Sequence, residues 1–244
     1  MQVDMSDNTK SLKTFSIQLN PLFSLSLSQE NHTENHGTTV WDSAKLLSLY
    51  LFDSVKVPTF EIRHDVVNVK NKKSCLELGS GCGLAGLVMA SLGFKTTLTD
   101  LPSVIDRVLL KNSQSAVEEI QRWWHHLHHT YHSDIQPQIQ VRALDWFNLP
   151  CSEEEKFNYI LASDCIYEIQ LVDPLLRCIR HFSNTKTIVL IAMERRDDLV
   201  VDGFIAKARA LGFDASMVLK KLIQTHQILV ANEDVEIWKL RLRG

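Results

Sequence analysis

Paired cysteines, excess positive charge and long apolar runs are all scarce in this sequence. The five cysteines include no CxxC pair, which argues against a disulfide framework or a zinc site and favours reduced thiols. The 26 lysines and arginines are scattered among 29 aspartates and glutamates, so there is no strong signal for nucleic-acid binding. No apolar run is long enough to span a membrane, and residues 1–13 lack the apolar core of a secretion signal. We therefore expect a cytoplasmic protein without membrane contact, the nucleus being the alternative location.

A histidine-rich run at residues 125–132 raises the question of a metal site. His125, His129 and His132 fall on one face of a helix, at a spacing that suits a metal ion. Because no cysteine or carboxylate clearly completes such a site, we predict no metal site. We interpret the run as a polar helix end or an insertion, with a structural metal site or a partner-binding surface as the alternatives.

The chain contains no central linker rich in proline, glycine or serine, so its 244 residues predict one main domain. We place this domain at residues 37–244, after a polar N-terminal extension at residues 1–36. Apolar and polar residues alternate from Thr14 to Leu19, which predicts loosely attached accessory strands within the extension.

Seven short apolar or β-branched runs alternate with helix-compatible segments in the main domain. Strands separated by helices favour a parallel sheet with helices on both faces. The last two runs, near residues 215–222 and 235–242, have no convincing helix between them, which predicts an antiparallel strand. The predicted fold class is therefore α/β, with a Rossmann-like, seven-stranded, mostly parallel sheet and an antiparallel C-terminal strand.

A glycine-rich turn follows the first strand of this domain. The strand ends at Leu78, after the acidic Glu77, and glycines then occupy positions 79, 81 and 83. Only glycine lets the backbone turn this sharply and lets a ligand lie against bare main chain. The pattern is typical of a nucleotide-cofactor site, and Asp100 at the end of the second strand is spaced to hold a ribose. Positions 81, 83 and 86 also match the GxGxxG dinucleotide fingerprint, so a nicotinamide cofactor is an open alternative here.

A second polar group follows the fourth strand, whose apolar run ends at Ala162. Ligands of an open α/β sheet bind beyond the carboxyl ends of its strands. We therefore expect Asp164 and Tyr167 to face the same crevice as Gly81 and Asp100. The alternative interpretation is a helix-capping aspartate and a packed tyrosine.

These segments resemble methyltransferase family 16, a family of seven-stranded S-adenosyl-L-methionine-dependent methyltransferases that act on lysines of non-histone proteins. The resemblance rests on the glycine loop, on Asp164-x-x-Tyr167, and on residues 37–44, 100–102 and 144–146. It implies that S-adenosyl-L-methionine is the cofactor and that the partner is a protein carrying the target lysine. The cofactor-binding residues that it implies are Trp41, Glu77, Gly79, Ser80, Gly81, Gly83, Asp100, Trp146 and Ala162.

The resemblance also assigns Asp164 and Tyr167 to catalysis. At neutral pH only about one lysine amine in 10³ is uncharged, given a reference pKa near 10.4, so the acceptor must be oriented and must lose a proton. Our hypothesis is that Asp164 receives the amine and that Tyr167 shapes the channel wall. The alternatives are methylation of a protein histidine, an RNA or a small molecule, hydride transfer with NAD, and a non-catalytic module that keeps the cofactor fold.

Overall fold

A computed structural model of the chain describes residues 7–31, 36–56, 58, 60–63, 66–69, 73–128, 136–149, 155–219 and 234–244. In chain order the strands are β1 (Thr14–Asn20), β2 (Phe23–Ser28), β3 (Phe60–Arg63), β4 (Val66–Val69), β5 (Ser74–Leu78), β6 (Lys95–Asp100), β7 (Ile139–Ala143), β8 (Tyr159–Ser163), β9 (Ile188–Glu194), β10 (Phe213–Met217) and β11 (Val235–Leu242). The α-helices are α1 (Asp42–Ser54), α2 (Leu84–Ser91), α3 (Pro102–Val104), α4 (Leu110–His128), α5 (Ile169–Phe182) and α6 (Asp198–Ala210). Short 3-10 helices lie at Asp7–Ser11 and His36–Thr38, and a π-helical turn at Ile105–Leu109 joins α3 to α4.

Seven strands form one sheet in the order β10-β11-β9-β8-β5-β6-β7. The strands β5 to β9 pair in parallel, whereas β11 runs antiparallel to both β9 and β10. One apolar core packs α1, α2 and α4 against one face of the sheet, and a second packs α5 and α6 against the other. The predicted fold class is therefore confirmed, including the antiparallel C-terminal strand.

The bounds of several strands agree with the pattern of the sequence, and others differ. The strands β5, β6 and β11 have the predicted bounds. The strand predicted near residues 215–222 instead begins at Phe213 and ends at Met217, and the prediction from residue 220 onward falls outside the described residues. The antiparallel pair β3–β4 was not predicted.

The N-terminal extension contains a β-hairpin that belongs to the hydrophobic core. β1 and β2 pair in antiparallel, and the side chains of Phe15, Ile17 and Leu25 are almost completely buried. The Ser28 backbone N–H donates to Asn112 Oδ1 at 2.8 Å, which ties the hairpin to α4. The expected accessory strands are present, but the expectation that they attach loosely is wrong. The domain boundary at residue 36 stays a prediction.

The sequence analysis expected neither a membrane span nor a metal site, and the structure bears on these two expectations only within the described residues. Within the described ranges, each helix is too short or too polar to span a bilayer. Of the histidine run, His129 and His132 lie outside the described residues. The residues that are described contain no group of three histidines, cysteines or carboxylates placed to hold a metal ion.

Candidate active site

The loops at the carboxyl ends of the parallel strands enclose a cavity of about 550 Å³. This volume falls within the range of about 300–1,000 Å³ that is usual for small-molecule and cofactor sites. Neighbouring loops contribute to it because β5, β6 and β8 all end at the same edge of the sheet. The predicted site residues that line the cavity are Trp41, Gly79, Ser80, Gly81, Asp100, Trp146, Asp164 and Tyr167.

The glycine loop leaves bare backbone on one wall of the cavity. Gly79 and Gly81 have φ angles of 60° and 55°, a region that favours glycine. A Cβ atom added to Gly81 would lie 2.8 Å from the Gly37 carbonyl oxygen, and one on Gly79 would lie 3.1 Å from Trp146 Cζ2. The Trp146 ring therefore lies directly against the loop, and neither position has room for a side chain.

Asp100 orients the glycine loop and keeps acceptor capacity. Its Oδ2 accepts from the Gly81 N–H at 2.8 Å, and its Oδ1 accepts from the Leu101 N–H at 2.8 Å. Burial raises the pKa of Asp100, and these two backbone N–H groups oppose that shift. Because an ionised carboxylate offers about four acceptor positions, Asp100 can still accept hydrogen bonds from a diol in the cavity.

Three predicted cofactor residues lie behind the cavity wall rather than on it. Glu77 and Ala162 are almost completely buried within β5 and β8. Gly83, with a φ angle of 89°, precedes α2, and a Cβ atom there would meet Leu109 Cδ1 at 2.8 Å. Glu77, Gly83 and Ala162 therefore do not line the cavity, and their contact with a cofactor stays a prediction.

Gly86 explains why the sequence also matches the dinucleotide fingerprint. A Cβ atom on Gly86 would lie 2.2 Å from Leu98 Cδ2 and 2.6 Å from Glu77 Oε2. The glycine therefore lets α2 pack tightly on the sheet, which is also the role of the third fingerprint glycine. The sharp turn itself begins at Gly79, directly after β5, in agreement with the glycine pattern at positions 79, 81 and 83 that follows Leu78 in the sequence.

The buried Glu77 makes the stability of the fold depend on pH. Burial raises the pKa of Glu77 to about 8, opposed by the Gly86 and Ala85 amides and the Ser80 side chain. The folded state therefore binds more protons than the unfolded chain between about pH 5 and pH 8. We expect the free energy of unfolding to fall as pH rises through this window, by at most about 1.4 kcal/mol per pH unit.

Urea denaturation of the wild type and of Glu77→Gln at a series of pH values checks this prediction. The amide does not titrate. The free energy of unfolding of Glu77→Gln, relative to that of the wild type, should therefore increase as pH rises. The matched control is Glu118→Gln, which changes an exposed glutamate on α4. If the difference in the free energy of unfolding between wild type and Glu77→Gln stays constant with pH, the raised pKa of Glu77 is wrong.

Asp164 lines the same cavity as the glycine loop and lies in a strained backbone conformation. Its φ angle of 55° is the only positive value at a non-glycine residue in the part of the chain that the structure describes. The residue directly follows β8, and its side chain is 7% exposed. Burial raises the pKa of Asp164, and the charge and hydrogen bond of Arg196 oppose that shift. Such strain is typical of functional sites, where surrounding contacts hold it in place.

Arg196 is a site residue that the sequence analysis missed. Its Nη2 lies 2.8 Å from Asp164 Oδ2 and 2.6 Å from Glu194 Oε2. Its guanidinium carbon lies 4.9 Å from the centroid of the Trp41 ring. The residue follows the end of β9, so its position at the carboxyl edge was a usable signal. A cation therefore occupies the space between a carboxylate and an aromatic face beside the cavity.

His36, Trp41 and Tyr167 form an aromatic group at the rim. The Trp41 Nε1–H donates to the His36 backbone oxygen at 2.8 Å, which fixes the indole. The His36 ring lies 6.0 Å from the Tyr167 ring, and Tyr167 is 42% exposed. No pattern in the sequence marked His36. The arrangement suits a cationic side chain that enters from the surface, because aromatic faces attract cations.

The two cysteines beside the cavity are not activated as nucleophiles. Burial raises the pKa of Cys82 to about 12 and that of Cys165 well above its ordinary value, with nearby carboxylates adding to both shifts. Because the thiolate is the reactive form, neither side chain suits covalent catalysis at neutral pH.

The fold and the cavity define a Rossmann-like protein with the architecture of methyltransferases. A TehB-like SAM-dependent methyltransferase from Corynebacterium glutamicum shares the fold with a TM-score of 0.52 and 16% identity, covering 85% of this chain and 90% of that one. The glycopeptide N-methyltransferase MtfA shares it with a TM-score of 0.53 and 11% identity, covering 82% and 90% of the two chains.

Residues 21–208 match the model of a family described as lysine methyltransferase, and the chain belongs to this family. The protein N-lysine methyltransferase METTL21A of Mus musculus is 31% identical over 66% of this chain and 62% of its own length. The protein-lysine N-methyltransferase rrg1 of Schizosaccharomyces pombe is 29% identical over 74% of this chain and 54% of its own length. The matched part of this chain thus spans less than two thirds of these relatives.

Proposed function

We propose that this protein transfers a methyl group from S-adenosyl-L-methionine to the side-chain amine of a lysine in a non-histone protein. One observation carries the proposal. The cavity is lined by two groups of residues. The first group is the glycine loop with the Asp100 carboxylate, and the second is the partly shielded carboxylate of Asp164. The first group suits a nucleoside and the second suits a cationic acceptor. The family membership and the names of the relatives support the same activity.

The residues present fit the proposed cofactor. Asp100 retains acceptor positions for the two ribose hydroxyls, and the Trp146 ring offers a flat face beside the glycine loop for the adenine. Gly79 and Gly81 present bare backbone at positions where a Cβ atom would clash with neighbouring protein atoms, so a ligand can lie directly against the main chain of the loop. When bound, S-adenosyl-L-methionine supplies an electrophilic methyl group on a positively charged sulfur.

The acceptor side consists of Asp164, Tyr167 and Trp41. Asp164 can accept hydrogen bonds from an incoming ammonium and hold the amine in line, a task in which positioning supplies most of the acceleration. Tyr167 and Trp41 offer ring faces that guide a cation toward the carboxylate. Arg196 now holds Asp164 at 2.8 Å, so the acceptor must displace or share this contact.

The topology of the sheet disfavours the dehydrogenase alternative. Dinucleotide-binding folds of the Rossmann type continue with a sixth parallel strand in the order 3-2-1-4-5-6. Here β11 is antiparallel and lies between β9 and β10. The partner that we propose is a protein that carries the target lysine, and we propose that the enzyme meets it in the cytoplasm or the nucleus.

Two measurements test the proposal. Calorimetry should detect binding of S-adenosylhomocysteine and none of NAD. Incubation with labelled S-adenosyl-L-methionine and a heat-treated cell extract should then label a lysine in at least one extract protein, identified by mass spectrometry. Failure to bind S-adenosylhomocysteine would refute the proposal. Label on RNA or on histidine would refute lysine as the acceptor. Binding of S-adenosylhomocysteine without methyl transfer would favour a non-catalytic module.

A further inference from the structure

The N-terminal 3-10 helix places a lysine of the protein itself against Trp41, one of the residues that line the cavity. Lys10 Nζ lies 4.5 Å from the centroid of the Trp41 ring. Trp41 lines the cavity, and the Arg196 guanidinium beside Asp164 lies over the same ring. Lys10 therefore already contacts the aromatic surface that would receive a substrate lysine.

The backbone on both sides of Lys10 is held in place by buried polar contacts. Gln29 Nε2 donates to the carbonyl oxygens of Thr9 and Leu12, both at 2.9 Å. Lys45 is completely buried, and its Nζ donates to Thr9 Oγ1 at 2.6 Å and forms an ion pair with Asp42 at 2.8 Å. These contacts fix the 3-10 helix on α1, directly beside Trp41.

The same contacts connect the segment to the wall of the cavity. Gln29 Oε1 accepts from the Val40 N–H at 2.7 Å, one residue before Trp41. Fixing both partners in one chain raises their effective concentration, so even a poor acceptor sequence can react when it is held near the site. A flexible four-carbon stem lets the amine move from the Trp41 ring toward the cavity while the backbone stays in place.

We propose that Lys10 is a methyl acceptor within its own chain, an inference that rests on the proposed function. The Lys10 ammonium first loses one proton to water. The lone pair of its amine then forms a bond to the methyl carbon, while the carbon–sulfur bond breaks and sulfur keeps the electron pair. The product is a methylammonium at Lys10 and S-adenosylhomocysteine.

The first test uses the purified full chain with labelled S-adenosyl-L-methionine and no other protein. Peptide mass spectrometry should locate the methyl group on Lys10. The rate should not change on dilution, because the reaction is intramolecular. Lys10→Arg keeps the cation beside Trp41 and should lose the label, whereas the nearby Lys13→Arg should keep it. Thermal melting of both variants checks that they fold.

A second readout does not depend on methyl transfer. Trace acetylation of surface amines, quantified for each lysine, should show Lys10 reacting at a different rate when S-adenosylhomocysteine is bound. Lys13, an exposed residue farther along the same segment, should react at an unchanged rate. An unchanged Lys10 rate would contradict the proposal that its amine reaches the cofactor cavity past Trp41.

The outcomes separate this inference from the proposed function. An unmethylated Lys10 in a preparation that binds S-adenosylhomocysteine and labels extract proteins would overturn the inference and leave the proposed function standing. A Lys10 label whose rate rises with protein concentration would overturn the intramolecular step. A chain that does not bind S-adenosylhomocysteine would refute the proposed function itself.

Discussion

Asp164→Asn should lower methyl transfer to extract proteins by about 10²-fold or more while affinity for S-adenosylhomocysteine stays at the wild-type level. The amide cannot form an ion pair with an incoming ammonium, so the amine loses its orienting partner. The change preserves the shape of the side chain. Asparagine also tolerates the positive φ angle of 55° at this position, which alanine would not. The comparison therefore isolates the charge of Asp164 from the strain of its backbone.

Labelled transfer and calorimetry on the same preparation measure the two quantities. The matched control is Asp173→Asn, which removes an exposed carboxylate that pairs with Lys207 on α6 at 2.8 Å. Exposed ion pairs contribute little, so this control should keep both transfer and cofactor affinity. An equal loss of transfer and of affinity in Asp164→Asn would show that Asp164 holds the cofactor or the fold. Unchanged transfer would refute its role in catalysis.

The cofactor side of the site, which consists of the glycine loop and Asp100, could be predicted because its sequence determinants are local. A strand that ends at Leu78, glycines at every second position and a carboxylate at the end of the next strand are all visible in the sequence. The parallel sheet then brings Gly81 and Asp100 together, since their loops follow paired strands. The same logic placed Asp164 at this edge, because β8 pairs with β5.

The acceptor side could be predicted only in part because it depends on packing between distant segments. Arg196 has the appearance of a surface residue in a charged loop, and only the fold brings it to Asp164 and Trp41. The N-terminal hairpin reads as a loosely attached extension, since its apolar face is too short to suggest a core. Its packing against α4 includes a contact between Ser28 and Asn112, which are far apart in the sequence, and a local pattern does not show such a contact. Glu77 was a motif residue in the sequence, and its place beneath the loop depends on how α2 packs.

Gly81→Ala should weaken binding of S-adenosylhomocysteine by about tenfold or more, and Gly81→Arg should abolish it. In the free protein an alanine at position 81 would relax out of the left-handed conformation, and restoring that conformation on binding would cost about 1–2 kcal/mol. About 1.4 kcal/mol corresponds to a tenfold change in affinity. The added Cβ atom would also lie 2.8 Å from the Gly37 carbonyl oxygen, a backbone atom that cannot rotate away. Moving the loop to relieve this contact would break the hydrogen bond from the Gly81 N–H to Asp100.

Gly203→Ala provides the control that separates a local effect from a general effect of adding a methyl group. Gly203 lies within α6, and its added Cβ atom would meet only Ile169 Cδ1 at 3.9 Å, an ordinary contact. This variant should bind S-adenosylhomocysteine like the wild type and gain about 0.5–1 kcal/mol of stability, because alanine is favoured over glycine inside a helix. Calorimetry below the melting temperature of each variant measures affinity on folded protein. Wild-type affinity in Gly81→Ala would mean that the cofactor does not lie against this turn, because a displaced or strained loop cannot present the same backbone surface.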